Sequence, residues 1–423
     1  MAEKEQGDRR RGIYLYFAPL TLLIYLALPD GYLLDITTSY MLKNQLKATA
    51  TEVSTFRILT AIPVYGSFIF GMYRDLWNPF GLKDRGFFLV FAPLSAVVLT
   101  VLAYAPLSKV GLLIGIFVVM ISFRVVEAAH QGLLALIGQE QSLSGRLSAL
   151  LSVFSYVPYV LGAAASGYLT DNLTPRQIFL LVAGICLLIG GMGLLNPRSV
   201  FGGVYDPPAA KGLDLIGDIR RLIAHRPIYP ALLVTLLFQF APGASTPLQF
   251  FLSEKVHAPD AIFANHTAIS LAAFIPMFVL YGYLCKRLAL KKLLWLSTAI
   301  AVAQPIPYAL IHTPISALIM AVPIGLMGGL AQAAYGDLAM RSCPPGLHGT
   351  MMMLVAGVWV LSFRMSDLLG SWIYRNDPIH GFFYCVALTM AVYALIMPVL
   401  SLIPKELVGT HDGQMAATAI GPP

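Results

Sequence analysis

The chain has 423 residues, 57% of them hydrophobic and only 12% charged, with a formal net charge of +7 and a mean hydropathy of +0.74. Soluble domains carry about twice that share of charge, ~25%, so the composition excludes an ordinary soluble enzyme and points to lipid. The cysteines Cys186, Cys285, Cys343 and Cys385 form no C-x-x-C pair, and neither a G-x-x-x-x-G-K-[ST] phosphate loop nor an H-E-x-x-H zinc pair occurs. A disulfide framework, an ATP-driven pump and a membrane metalloprotease are therefore not expected, and neither is a metal or other cofactor.

One crossing of the hydrocarbon core needs ~20 mostly apolar residues. Twelve runs of about that length stand between polar breaks: 13–35, 52–73, 87–107, 110–135, 147–170, 176–195, 229–252, 262–284, 293–312, 315–340, 348–374 and 380–402. Barrel strands need only ~10 residues each, so the runs predict an all-α membrane protein of twelve transmembrane helices. The charged opening "MAEKEQGDRRRG" precedes a full-length run without a small-residue cleavage site, which reads as an uncleaved signal anchor. With the N-terminus inside, 19 of the 28 Lys and Arg fall in inner segments and 6 in outer ones, leaving Arg57, Arg124 and Arg364 embedded. That bias predicts that both termini are cytoplasmic, and the expected setting is the cell's inner (plasma) membrane. The positive charge thus reflects topology, and no nucleic-acid partner is implied.

The longest polar interruption, residues 196–228, divides the runs six and six. The expected organisation is a cytoplasmic tail (1–12), an N-terminal six-helix bundle (13–195), a linker (196–228), a C-terminal six-helix bundle (229–403) and a second tail (404–423). Within the linker, "DLIGDIRRLI" has the spacing of an amphipathic helix on the inner membrane surface. The halves also repeat one another. "AAHQGLLA" from Ala128 falls against "AAYGDLA" from Ala333, and "SGYLTDNLTP" from Ser166 against "GSWIYRNDP" from Gly370, at a shift near 205 residues. "FGMYRD" from Phe70 parallels "YGYLCK" from Tyr281. Matches in a common order predict two pseudo-symmetric bundles.

Several buried charges stand within these runs, where an ion costs several kcal/mol unless it meets a partner or a watery cavity. In "FRVVEAAHQG", Arg124, Glu127, His130 and Gln131 fall on one helical stripe at ~100° per residue. Arg364 and Asp367 are neighbours by the same rule. Two such Arg–acid pairs suit a central cavity that binds an anion or a coupling proton. Each could instead neutralise itself as an i,i+3 bridge that only sets packing. Glu127, Asp30 and Asp367 are the carboxylates available for coupling, with His130 a candidate relay. "PDG" at Pro29 to Gly31 breaks the first run and frees backbone carbonyls; there, coupling through Asp30 competes with a bridge from Asp30 or Asp35 to Arg57, the favoured reading. Gln332 and Tyr335 are further candidate cavity groups. Asp337 and Arg341, at i and i+4, look like a gate or structural pair.

The loop "GMYRDLWNPFGLKDRG" joins a glycine and an aspartate to a basic cluster. Gly71 permits close helix approach, and Asp75 at a helix end can pair with a basic group and release it when the halves rock. Together with twelve runs and a central linker, this loop resembles the major facilitator superfamily, whose signature maps onto Gly71, Asp75 and Lys83 or Arg85. Pro79-Phe80-Gly81 and "PDGYLLDITTSYMLKNQL" are further similar to the folate–biopterin transporter branch, although Lys83-Asp84-Arg85-Gly86 stands where that branch has consecutive arginines. The resemblance implies a gating role for Gly71, Asp75 and Arg85. It also implies a non-enzymatic, alternating-access secondary transporter, driven by a proton or other ion, for a small organic solute of anionic, folate- or pterin-like character. Its expected setting is the lipid bilayer, as a monomer. Other readings are a muropeptide-permease-like or drug exporter, and a non-transporting membrane sensor or assembly factor.

Overall fold

The structure, a computed structural model, describes residues 2–106, 108–202 and 215–414. Linker residues 203–214 and tail residues 415–423 lie outside it, as do the side chains of 163–171. Every regular element among the described residues is helical: α1 (Ala2–Leu26), α2 (Tyr32–Tyr40), α3 (Ala50–Tyr65), α4 (Ser67–Leu76), α5 (Asp84–Tyr104), α6 (Lys109–Glu140), α7 (Ser144–Asn172), α8 (Pro175–Leu194), α9 (Arg198–Phe201), α10 (Leu215–Ala224), α11 (Ile228–Gln239), α12 (Thr246–Glu254), α13 (Asp260–Leu284), α14 (Leu290–Ala303), α15 (Pro314–Arg341), α16 (His348–Asn376), α17 (Gly381–Ala394), α18 (Ile396–Ser401) and α19 (Lys405–Val408).

Among the described residues nine helices are long and apolar enough to cross a bilayer, or ten if α10 and α11, which meet at 76°, count as one span. Two of the twelve runs are broken, and a third, 147–170, falls in α7, where the side chains of 163–171 lie outside the described residues. Run 13–35 ends as α1 at Leu26 and resumes as α2 at Tyr32; Pro29 lacks an N–H and Gly31 caps the restart by accepting the Asp35 N–H at 3.0 Å. Run 229–252 divides in the same way around Pro242-Gly243, between α11 and α12. Residues that end a helix in water end it here too, and cleaved helices in lipid are tolerated where protein or a cavity satisfies the backbone.

The chain forms two compact units, each drawing on both sequence halves. The first comprises residues 1–134, 157–218 and 345–354. Its core joins Phe17, Leu20 and Ile24 of α1 to Phe87 and Phe88 of α5, Phe123 of α6 and Phe179 of α8, all essentially fully buried. The second comprises residues 135–156, 219–344 and 355–423. There α15 lies against α13 so closely that a Cβ on Gly325 would stand 2.3 Å from the Ser270 carbonyl, the small-residue contact that packs helices where water supplies no driving force. From Leu215 onward the "DLIGDIRRLI" stretch is helical, forming α10 with Ile216, Ile219 and Ile223 exposed, while Asp214 lies outside the described residues.

Candidate functional site

In the first unit, helical periodicity alone brings Arg124 and Glu127 together: Arg124 Nη1 lies 2.6 Å from Glu127 Oε2. Gln131, one turn further along α6, donates from Nε2 to Glu127 Oε1 at 2.9 Å and reaches the Tyr25 hydroxyl at 3.4 Å. The break in the first run then adds what periodicity does not. Asp30, between α1 and α2, places Oδ1 3.2 Å from Arg124 Nη2. Arg124 is 4% exposed, so one buried guanidinium serves two carboxylates. With both ionised the three groups carry one net negative charge; with one protonated they are neutral.

Of the two carboxylates offered to Arg57, Asp35 takes it at 3.3 Å, with Ser39 Oγ at 2.9 Å, on an exposed surface, while Asp30 turns to Arg124. His130 stands apart from this cluster. Its Nε2 is 2.8 Å from Thr21 Oγ1, its ring lies edge-on to Phe17, and its buried Nδ1 has no hydrogen-bond partner. At ~100° per residue His130 lies on the far flank of Glu127, about 120° round α6 from Arg124, which aims the imidazole at α1 instead. A cavity of about 310 Å³ opens beside the break, lined by Tyr25, Gly31, Leu33, Pro158 and Tyr159 among others.

In the second unit Arg364 and Asp367 do not pair. Asp367 accepts from the Thr246 N–H and hydroxyl, both at 2.9 Å, closing the second helix break. Arg364 is exposed, with no carboxylate within ion-pair reach among the described residues. Thr246 also lines a cavity of about 380 Å³ with Phe250, Glu254, Ser371, Tyr374 and Arg375; Tyr374 Oη donates to Glu254 there at 2.9 Å. Gln332 accepts from Gln239 Nε2 at 3.1 Å. Tyr335 shares a 2.8 Å bond with Thr298 and stands edge-on to Phe238.

The gating candidates divide between the units. In the first, Asp75 at the end of α4 accepts from the backbone N–H of Gly349 (3.0 Å) and Thr350 (2.7 Å) and from the Thr350 hydroxyl (2.7 Å). It thereby caps α16. A Cβ on Gly71 would stand 2.4 Å from the Gly349 carbonyl, so only glycine admits this approach. Asp75's cation is Arg74, at 2.8 Å, which also grips Asp84 in a bidentate pair at 2.6 and 2.7 Å. Arg85 instead donates to the carbonyls of Gly193 and Leu194 at the end of α8. Neither Arg74 nor Asp84 stood out in sequence, although both lie inside the quoted loop. In the second unit Asp337 and Arg341 pair at 2.8 Å, and the buried Tyr281 hydroxyl donates to Asp337 at 2.7 Å.

Broken helices bearing polar groups beside cavities, with carboxylate-capped helix ends, are features found in helical membrane transporters. The model of the Major Facilitator Superfamily matches residues 20–363, and the chain belongs to that family. It is 22% identical over 395 residues to a folate-biopterin transporter of Synechocystis sp., covering 87% of this chain and 78% of that one. Its fold is similar to that of the transporter FucP in the outward conformation, with a TM-score of 0.71 at 14% identity over 92% of this chain and 98% of that one. A human organic anion transporter, TETRAN, is similar with a TM-score of 0.66 at 14% identity, over 93% and 99% of the two chains.

Proposed function

We propose that this protein moves a small organic solute by alternating access, coupled to a proton, and that the solute is an anion of the folate or pterin kind. The observation that carries the coupling is the sharing of buried Arg124 by Asp30 and Glu127. A site with one carboxylate in excess favours uptake of a cation, and Asp30 sits on a helix break that can change conformation. A proton taken on either carboxylate neutralises the cluster and rearranges the hold on Arg124 that ties the break to α6, which couples charge to movement. For the solute, Arg364 has no carboxylate within ion-pair reach among the described residues, so a carboxylate on the solute can be met there by charge-assisted hydrogen bonds. The folate-biopterin transporter of Synechocystis supports the solute class, and the fucose:proton symporter FucP supports the proton. Residues 13–195 and 229–403 act as the two rocking halves of a monomer, with both termini on the cytoplasmic side of the inner (plasma) membrane.

Purified protein in liposomes tests this reading. Folates and pterins, but not sugars or amino acids, should raise its melting temperature, and an imposed pH gradient should drive their accumulation. Binding of another solute class with no response to folates or pterins overturns the solute assignment, and accumulation indifferent to the pH gradient overturns the coupling.

A further inference from the structure

The second unit contains a buried carboxylate that the transport reading does not use. Asp412 follows α19 in what the sequence marks as a polar tail, yet its side chain is only 1% exposed. Its Oδ1 accepts the backbone N–H of Gly145, and its Oδ2 accepts both the backbone N–H and the Nε of Arg146, all at 3.0 Å. Arg341 Nη2 stands 3.5 Å away. The backbone around it is held as well: the Asp412 N–H donates to the Cys285 carbonyl at 2.9 Å, the Gly413 N–H to that of Ser142 at 2.8 Å, and Arg341 Nη1 to that of Thr410 at 3.0 Å. Thr410, Asp412 and Gly413, within the short segment 410–413, therefore tie the start of α7 to the ends of α13 and α15.

In the first unit the corresponding work is done by Asp75. It caps α16 at the N–H groups of Gly349 and Thr350, as Asp412 caps α7 at those of Gly145 and Arg146. Gly145 and Gly349 lie 204 residues apart, the shift of the internal repeat. Their surroundings match: a Cβ on Gly349 would meet Arg74 Cδ at 2.8 Å and Asp75 Oδ1 at 2.9 Å, and one on Gly145 would meet Cys285 Cβ at 2.8 Å and Asp337 Oδ2 at 2.9 Å. The parallel of "FGMYRD" with "YGYLCK" sets Cys285 against Arg74 and Lys286 against Asp75. The second repeat thus has no aspartate at its own helix end.

We propose that segment 410–413 is a strap supplying, through Asp412, the helix-capping carboxylate that the second repeat lacks, and that α7 parts from α13 and α15 only when this strap lets go. A carboxylate at a helix start is favoured by the orphan N–H groups and the helix dipole. Two guanidiniums strengthen it further. Withdrawing α7 would strip three donors from a buried charge, which is far costlier than breaking an exposed pair. The strap therefore sets how readily this end of the unit opens, whether or not the transported solute is the one proposed above.

The four native cysteines, all buried, report on this without any substrate. The full-length protein is exposed to N-ethylmaleimide and alkylation is followed at each cysteine by peptide mass. Cys343 is the diagnostic thiol, because it lies just beyond the end of α15 and its carbonyl accepts from Gln139 Nε2 of α6 at 2.9 Å. In Asp412→Ala its alkylation should accelerate about tenfold, a factor in keeping with the loss of one helix cap and its charged partners, while Cys186 and Cys385 stay as slow as in the wild type. Asp412→Asn keeps the shape and loses the charge, so it should give the same pattern at about threefold and decides the matter if the alanine variant does not fold. Acceleration of Cys285 alone would mean that the strap merely covers that thiol. Acceleration at all four would mean general loosening, and at none, no restraint. Each of these three results overturns the proposal.

Discussion

Asp30 and Arg124, 94 residues apart in sequence, stand 3.2 Å from each other, and their contact joins the break between α1 and α2 to the middle of α6. Because Glu127 holds the same guanidinium at 2.6 Å, neither carboxylate can be understood alone.

Arg124→Ala leaves Glu127 buried without its cation. Removing one partner of a buried pair costs about 3–5 kcal/mol, so this variant should melt well below the wild type in detergent. Arg124→Ala/Glu127→Ala should recover most of that stability and still transport nothing. Full transport by the double variant would show that the pair serves packing only.

Glu127→Gln keeps the shape and the Gln131 neighbour but cannot ionise. Substrate should still exchange between the two sides of a liposome, whereas accumulation driven by a pH gradient should be lost along with substrate-dependent proton movement. Asp30→Asn is the companion test. If only it uncouples transport, the coupling proton belongs to the break and not to α6.

Arg364→Gln should weaken binding of a carboxylate-bearing solute by about 10- to 100-fold, the range for a hydrogen bond to a charged group, and leave a neutral analogue unaffected. Isothermal titration of both ligands separates a charge contact from a general change in shape. Asp367→Asn, by contrast, should act on stability, since Asp367 is engaged by Thr246.

Gly71→Ala puts a methyl group where the Gly349 carbonyl stands 2.4 Å away. Overpacking of this kind costs about 1–3 kcal/mol, and the strain is relieved only if α4 and α16 separate. A cysteine at Thr350, buried in the wild type, should therefore label faster in this variant. Asp75→Asn should do the same more weakly, because the amide oxygen can still accept one of the two backbone N–H groups.

The sequence by itself determined whatever depends on neighbours along the chain. Apolar run length dictated helices in lipid, and Pro29 with Gly31 dictated the break, because a missing N–H acts locally. Helical period dictated the pairs Arg124–Glu127 and Asp337–Arg341, three and four residues apart. Where several partners lay within reach, only the tertiary structure decided. Asp30 went to Arg124 and not Arg57, and Asp367 to Thr246 and not Arg364. Asp75 took its adjacent Arg74, although the loop offered Lys83 and Arg85. Asp412 is the extreme case: nothing near it in sequence marks it as buried, since its donors Gly145 and Arg146 and its second cation Arg341 come from other helices. An ion pair between helices forms where packing makes the shared loss of water worthwhile, and that packing exists only once the helices have assembled.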